Sequence, residues 1–62
     1  MYSNEEIKHH LAWMRDNTDI SPYAITRTWD KWEQGYSGYN NYHVTKWIDY
    51  ILEENGIIPE WK

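Results

Sequence analysis

The apolar residues of this chain fall into three stripes at helical spacing, and each stripe begins just after a residue suited to cap a helix. In "YSNEEI", Ser3 is placed as an N-cap and Glu6, three residues on, completes a capping box, while Tyr2 and Ile7 stand where a hydrophobic staple forms. Ile7, Leu11 and Met14 recur with Trp13 on the flank until the polar run "DNTD" interrupts them, which predicts a helix over about 4 to 16. In "ISPYAI", Ser21 can cap, Pro22 takes the first helical position, where a missing N–H costs nothing, and Ile20 faces Ile25 as a second staple. Ile25, Trp29 and Trp32 then form a stripe that Gly35 ends, giving a helix over about 22 to 34.

The third stripe, Val44, Trp47, Ile48, Ile51 and Leu52, has the spacing of a helix with one buried face, and Asn40 or Asn41 can cap it. "LEENGI" puts Gly56 at the position that favours left-handed backbone and Ile57 within reach of Leu52, so the helix should run from about 41 to 54 and close in a Schellman stop. Three helices joined by short connectors predict an all-α fold, a compact three-helix bundle forming a single domain over residues 1 to 62. The tail "IIPEWK" is expected to pack back, with Ile57, Ile58 and Trp61 covering an open end of the core.

Such a bundle must stabilise itself from few side chains. A chain of 62 residues buries only roughly 60% of the surface its unfolded form exposes, and with no cysteine it has neither a disulfide framework nor a thiolate metal cluster. Aromatic area is the compensation: five Trp and six Tyr, but no Phe, give nearly every ring a polar handle that suits half-buried positions and interfaces. With Trp29, Trp32 and Trp47 assigned to the core, Trp13, Trp61 and most of the tyrosines remain for the surface or its edge.

Charge narrows the partners. Ten acidic against six basic residues leave a net charge of −4, whereas a nucleic-acid binder draws most of its affinity from cations that neutralise phosphate. No apolar run approaches the roughly 20 residues of a membrane span, and no signal peptide opens the chain, so a soluble, cytoplasmic protein with no membrane association is expected.

Little in the chain resembles catalytic machinery. His9 and His10 form i,i+4 pairs with Glu5 and Glu6, but adjacent helical residues point about 100° apart and cannot easily share an ion. A metal site would need His43 or an Asp from elsewhere, so these histidines are expected at the surface or its boundary, with no metal and no cofactor. Ser3 and Ser21 are accounted for as caps, no Gly-x-Ser-x-Gly elbow frames any serine, and Gly35 and Gly38 lack the Lys of a phosphate-binding loop. Carboxylate pairs such as Asp49/Glu53 and Asp30/Glu33 have the spacing of a solvated helix face. No enzyme is expected.

One local resemblance stands apart. "TWDKWEQG", Thr28 to Gly35, is similar to the end of the recognition helix in phage-repressor-type helix-turn-helix domains. The likeness covers eight residues and implies Arg27, Thr28, Lys31 and Gln34 as groove-facing side chains on the second helix. The sequence departs from that pattern because Ser21 to Gln34 reads as one uninterrupted helix, leaving "DNTDIS" as the turn and the first helix as its support. Asp30 and Glu33 would flank phosphate unfavourably.

The leading expectation is therefore a non-enzymatic, acidic protein-binding module. It would dock an aromatic and acidic surface on a partner with a basic surface, such as a nucleic-acid enzyme, and block or regulate it. In size and charge the chain resembles inhibitor and accessory proteins of phages and mobile elements. The residues expected to make contact are Tyr36, Tyr39 and Tyr42 in "EQGYSGYNNYHV", with Trp61 and Glu53. Tyr36 or Tyr42 is expected to lie across the core, and Tyr39 to be the exposed tip. DNA recognition by the second helix and a homodimeric structural module are the alternatives.

Overall fold

The computed structural model describes residues 1–62 and contains three α-helices: α1 (Asn4–Asn17), α2 (Pro22–Glu33) and α3 (Asn41–Glu54). Each helix packs against the other two, making an all-α three-helix bundle.

The ends form as local chemistry demands. The Ser3 hydroxyl accepts from the Glu6 N–H at 3.2 Å, and the Ser3 N–H donates to Glu6 Oε1 at 2.8 Å, so the capping box closes in both directions. Ser21 accepts from Ala24 N–H with Pro22 at the first helical position, and it is Asn40, not Asn41, that caps α3 by accepting from His43 N–H at 2.9 Å. No glycine ends α1. The Thr18 hydroxyl donates to the Met14 carbonyl at 2.7 Å and accepts from Ile20 N–H at 3.2 Å, so the polar run that interrupts the stripe also supplies the helix stop.

The other two helices close with the same hydrogen-bond pair. At α3, Gly56 N–H donates to the Glu53 carbonyl and Ile57 N–H to the Leu52 carbonyl; at α2, Gly35 and Tyr36 donate to Trp32 and Lys31. Both are Schellman stops, and Gly35 and Gly56 have φ of 74° and 65°, values open to glycine at little cost.

The buried cluster is Ile7, Leu11, Met14, Ile20, Ile25, Val44, Ile48 and Leu52, each side chain contributing roughly 1.5–3 kcal/mol when fully buried. No ring belongs to it. Trp29, Trp32 and Trp47, expected in the core, are half-buried and surround the aliphatic centre together with Tyr2, Trp13 and Trp61. Helices of this length enclose a centre that aliphatic side chains fill, so the larger indoles lie over its rim and keep one edge toward water.

The tail does pack back. Pro59 is buried, and Ile57 and Trp61 lie against the cluster, but Ile58 is turned outward and 84% exposed, contrary to its expected role as a cover. The larger departure concerns His10, expected at the surface or its boundary, which is buried with only 4% exposure. It occupies the i+3 position of the Ile7, Leu11, Met14 stripe, so helical geometry carries it inward whatever its polarity.

Candidate functional site

The expected contact residues are distributed over three regions instead of one face. Tyr36 follows Gly35 at the stop of α2, where the backbone brings its ring back over the last turn, and Lys31 Nζ sits 4.2 Å from the ring centre. The same ammonium is 5.7 Å from the Tyr39 ring, so one cation links both tyrosines. Tyr36 is exposed, whereas Tyr39, expected as the exposed tip, is half-buried. The connector folds Tyr39 back to line a cleft of about 280 Å³ with Thr28, His43, Val44 and Trp47. Tyr42, expected with Tyr36 as a possible cover for the core, is instead exposed in the first turn of α3, where Lys46 Nζ lies 5.4 Å from its ring.

Beside that connector, Tyr23, Arg27, Asp30, Lys31, Gln34 and Tyr36 line a shallow cleft of about 300 Å³. Three of the four groove-facing candidates therefore come together. The fourth, Thr28, is buried with 7% exposure because it falls on the inward stripe with Ile25 and cannot meet a groove. Lys31 and Arg27 form no ion pair, and Asp30 shares their cleft.

Trp61 and Glu53 belong elsewhere. Trp61 stacks on His10 with ring centres 3.6 Å apart and planes 12° from parallel, and it meets Trp13 edge-on at 5.2 Å. Tyr2 closes the other side of His10 edge-on at 4.5 Å. His10 Nδ1 and Trp61 Nε1 are buried without hydrogen-bond partners. Burial, with the neighbouring His9 adding to it, holds the His10 imidazole below its ordinary pKa and so favours the neutral ring. Trp61 is thus a packing residue, committed to the docked tail.

Around this cluster the tail is fastened by polar contacts. His9 Nε2 lies 3.0 Å from Glu60 Oε2, and Lys62 Nζ lies 3.8 Å from Asp49 Oδ1. Asp49 also accepts from the Tyr2 hydroxyl at 2.6 Å; burial and that hydrogen bond raise the Tyr2 pKa. The Glu6 carboxyl titrates below its usual range because Ser3 donates to it. The carboxylate pairs spaced along the helices are accordingly structural or solvated: Asp49 is engaged, while Asp30, Glu33 and Glu53 are exposed.

Glu53 lines the groove between the end of α3 and the tail, about 460 Å³ in volume, with Leu52, Ile57, Ile58 and Pro59 as apolar walls and Asp49 and Lys62 at the edge. Along α3, Tyr42 and Tyr50 are 54% and 60% exposed, and Lys46 and Glu53 lie between their directions within an outward arc of roughly 80°. Tyr50 was not among the expected contact residues. Its signal was its position opposite the Val44, Ile48, Leu52 stripe.

No three His, Asp or Glu side chains are grouped to hold a metal ion, and no helix is long and apolar enough to cross a membrane. Comparison with protein-family models, with curated proteins and with solved structures found no match.

Proposed function

We propose that this chain is a non-enzymatic protein-binding module that docks the outward face of α3 on a basic surface of another protein, as an inhibitor or regulator of the kind phages and mobile elements encode. The observation that carries the reading is the pair Tyr42 and Tyr50, two large rings exposed on one side of a single helix with Glu53 beside them. A rigid helix presents such rings at low entropic cost, and tyrosine is favoured where interfaces concentrate their binding energy. The net charge of −4 steers the chain toward basic partners, among them the nucleic-acid channels of enzymes. Of the residues expected from sequence, Tyr42 and Glu53 lie on this face, and Tyr36 marks the separate α2 surface.

The test is affinity capture with the immobilised protein, compared with a Tyr42→Ala/Tyr50→Ala variant whose thermal midpoint matches the parent. A discrete partner retained by the parent and released by the variant is the expected result. Equal retention by both would sink the reading. Light scattering on the same samples tests the homodimeric alternative.

A second reading, DNA recognition through α2, draws support from Arg27, Lys31 and Gln34 lining one cleft with neither cation tied to a carboxylate. Asp30 in that cleft and the burial of Thr28 weigh against it. Gel retardation at low salt, with affinity falling steeply as salt rises, would favour this reading over the first.

A further inference from the structure

We propose that the groove between the last turn of α3 and the tail is a subsite for an aliphatic or aromatic side chain on a cationic segment of the partner protein. The inference rests on the protein-binding reading and specifies the chemistry of the bound segment.

The apolar half of the argument is Ile58. Its neighbours face the bundle, Pro59 buried and Ile57 half-buried, yet Ile58 stands 84% exposed at the wall of a groove of about 460 Å³. Leu52 and Ile57 line the same groove, so an inserted side chain meets hydrocarbon on several sides and removes Ile58 from water.

The charged half is Glu53. Of the two carboxylates lining the groove, Asp49 already receives the Tyr2 hydroxyl at 2.6 Å and Lys62 at 3.8 Å, whereas Glu53 has no hydrogen bond or ion pair from its side chain. An exposed carboxylate beside an apolar groove complements a Lys or Arg adjoining an apolar residue. Nucleic acid and anionic lipid are disfavoured by the same carboxylate. Because Schellman backbone and a buried Pro59 hold both walls, the groove exists before a ligand arrives.

The experiment is an amide NMR titration of the 15N-labelled full chain with two short synthetic peptides, one alternating Leu with Lys and the other Leu with Glu. The Leu–Lys peptide should shift the amides of Glu53, Gly56, Ile57 and Ile58, and the Leu–Glu peptide should leave them in place. Glu53→Lys should weaken the Leu–Lys peptide by about tenfold, and Glu33→Lys, at an exposed position on α2 that does not line the groove, should not. Ile58→Ser should weaken it without altering the fold's amide dispersion. Shifts centred on Tyr42 and Tyr50 or on α2 would overturn the groove while leaving the protein-binding reading intact. Equal response to both peptides, or to neither, would also overturn it. Groove shifts that grow with protein concentration in the absence of peptide would assign the surface to a second copy of this chain instead.

Discussion

Trp32 Nε1 donates to Asn41 Oδ1 at 2.8 Å, fastening the last turn of α2 to the first turn of α3. An indole N–H can only donate, so the amide oxygen of Asn41 must face Trp32 and its nitrogen must face away. That nitrogen donates to Asn4 Oδ1 at 2.7 Å, at the start of α1. One side chain therefore joins all three helices. Asn41→Ala strands the Trp32 donor and frees Asn4, and should cost about 1–3 kcal/mol in urea unfolding at unchanged m-value. In a double-mutant cycle with Trp32→Phe, coupling of about 0.5–1.5 kcal/mol is expected; additivity would mean that the pair contributes nothing jointly.

Two residues of the tail should respond very unequally to truncation. Trp61→Ala removes the ring stacked on His10 and packed on Trp13, and should lower stability by about 2 kcal/mol, less than a fully buried Trp because one edge is already in water. Ile58→Ala should change it by less than about 0.5 kcal/mol, as an outward side chain does. Deleting residues 57 to 62 should lower the thermal midpoint; an unchanged midpoint would contradict the docking of the tail.

The stop of α3 gives a purely backbone prediction. A Cβ added at Gly56 would meet nothing within 4 Å, so the cost of Gly56→Ala comes from its φ of +65° alone. About 1–2 kcal/mol is expected in thermal or urea unfolding, and Gly56→Asn should cost less, since Asn tolerates the left-handed region better.

Acid should loosen the bundle through His10. Its folded pKa lies below that of the unfolded imidazole, about 6.5, so the unfolded chain takes up a proton first as pH falls. The contribution is therefore complete above about pH 6.5 and is lost as pH drops from there toward the depressed folded value. Glu6, Asp49 and Glu60 oppose this by favouring the charged ring, and His9 reinforces it. The thermal midpoint should fall between about pH 7 and pH 5, and His10→Phe should flatten that slope.

How far the sequence carried these conclusions depends on what kind of physics each feature needed. Caps and stops are local, so Ser3, Ser21, Gly35 and Gly56, with the polar run after Arg15 and the Asn40–Asn41 pair, located all three helices to within a residue. Depth is not local. A stripe gives a direction, and polarity was allowed to override it at His10 and Thr28, both of which complete an i, i+3, i+4, i+7 set and are buried. Conversely, Trp29, Trp32 and Trp47 have the right direction but too much volume for the centre. The site was less legible still. Tyr39 turns inward because of where the connector meets Trp47, and Ile58 turns outward because Pro59 is seated, neither of which a spacing rule encodes.

The stop at Gly56 also governs how this protein ages. Asn-Gly is the dipeptide most prone to spontaneous deamidation, which requires the glycine nitrogen to attack the asparagine side-chain carbonyl. Here the Gly56 N–H is held by the Glu53 carbonyl at 3.0 Å, and the Asn55 amide nitrogen donates to the Ile51 carbonyl at 2.7 Å. Ring closure must wait for the last turn of α3 to fray, so the rate at which Asn55 becomes aspartate or isoaspartate in storage is a clock for the opening of that turn.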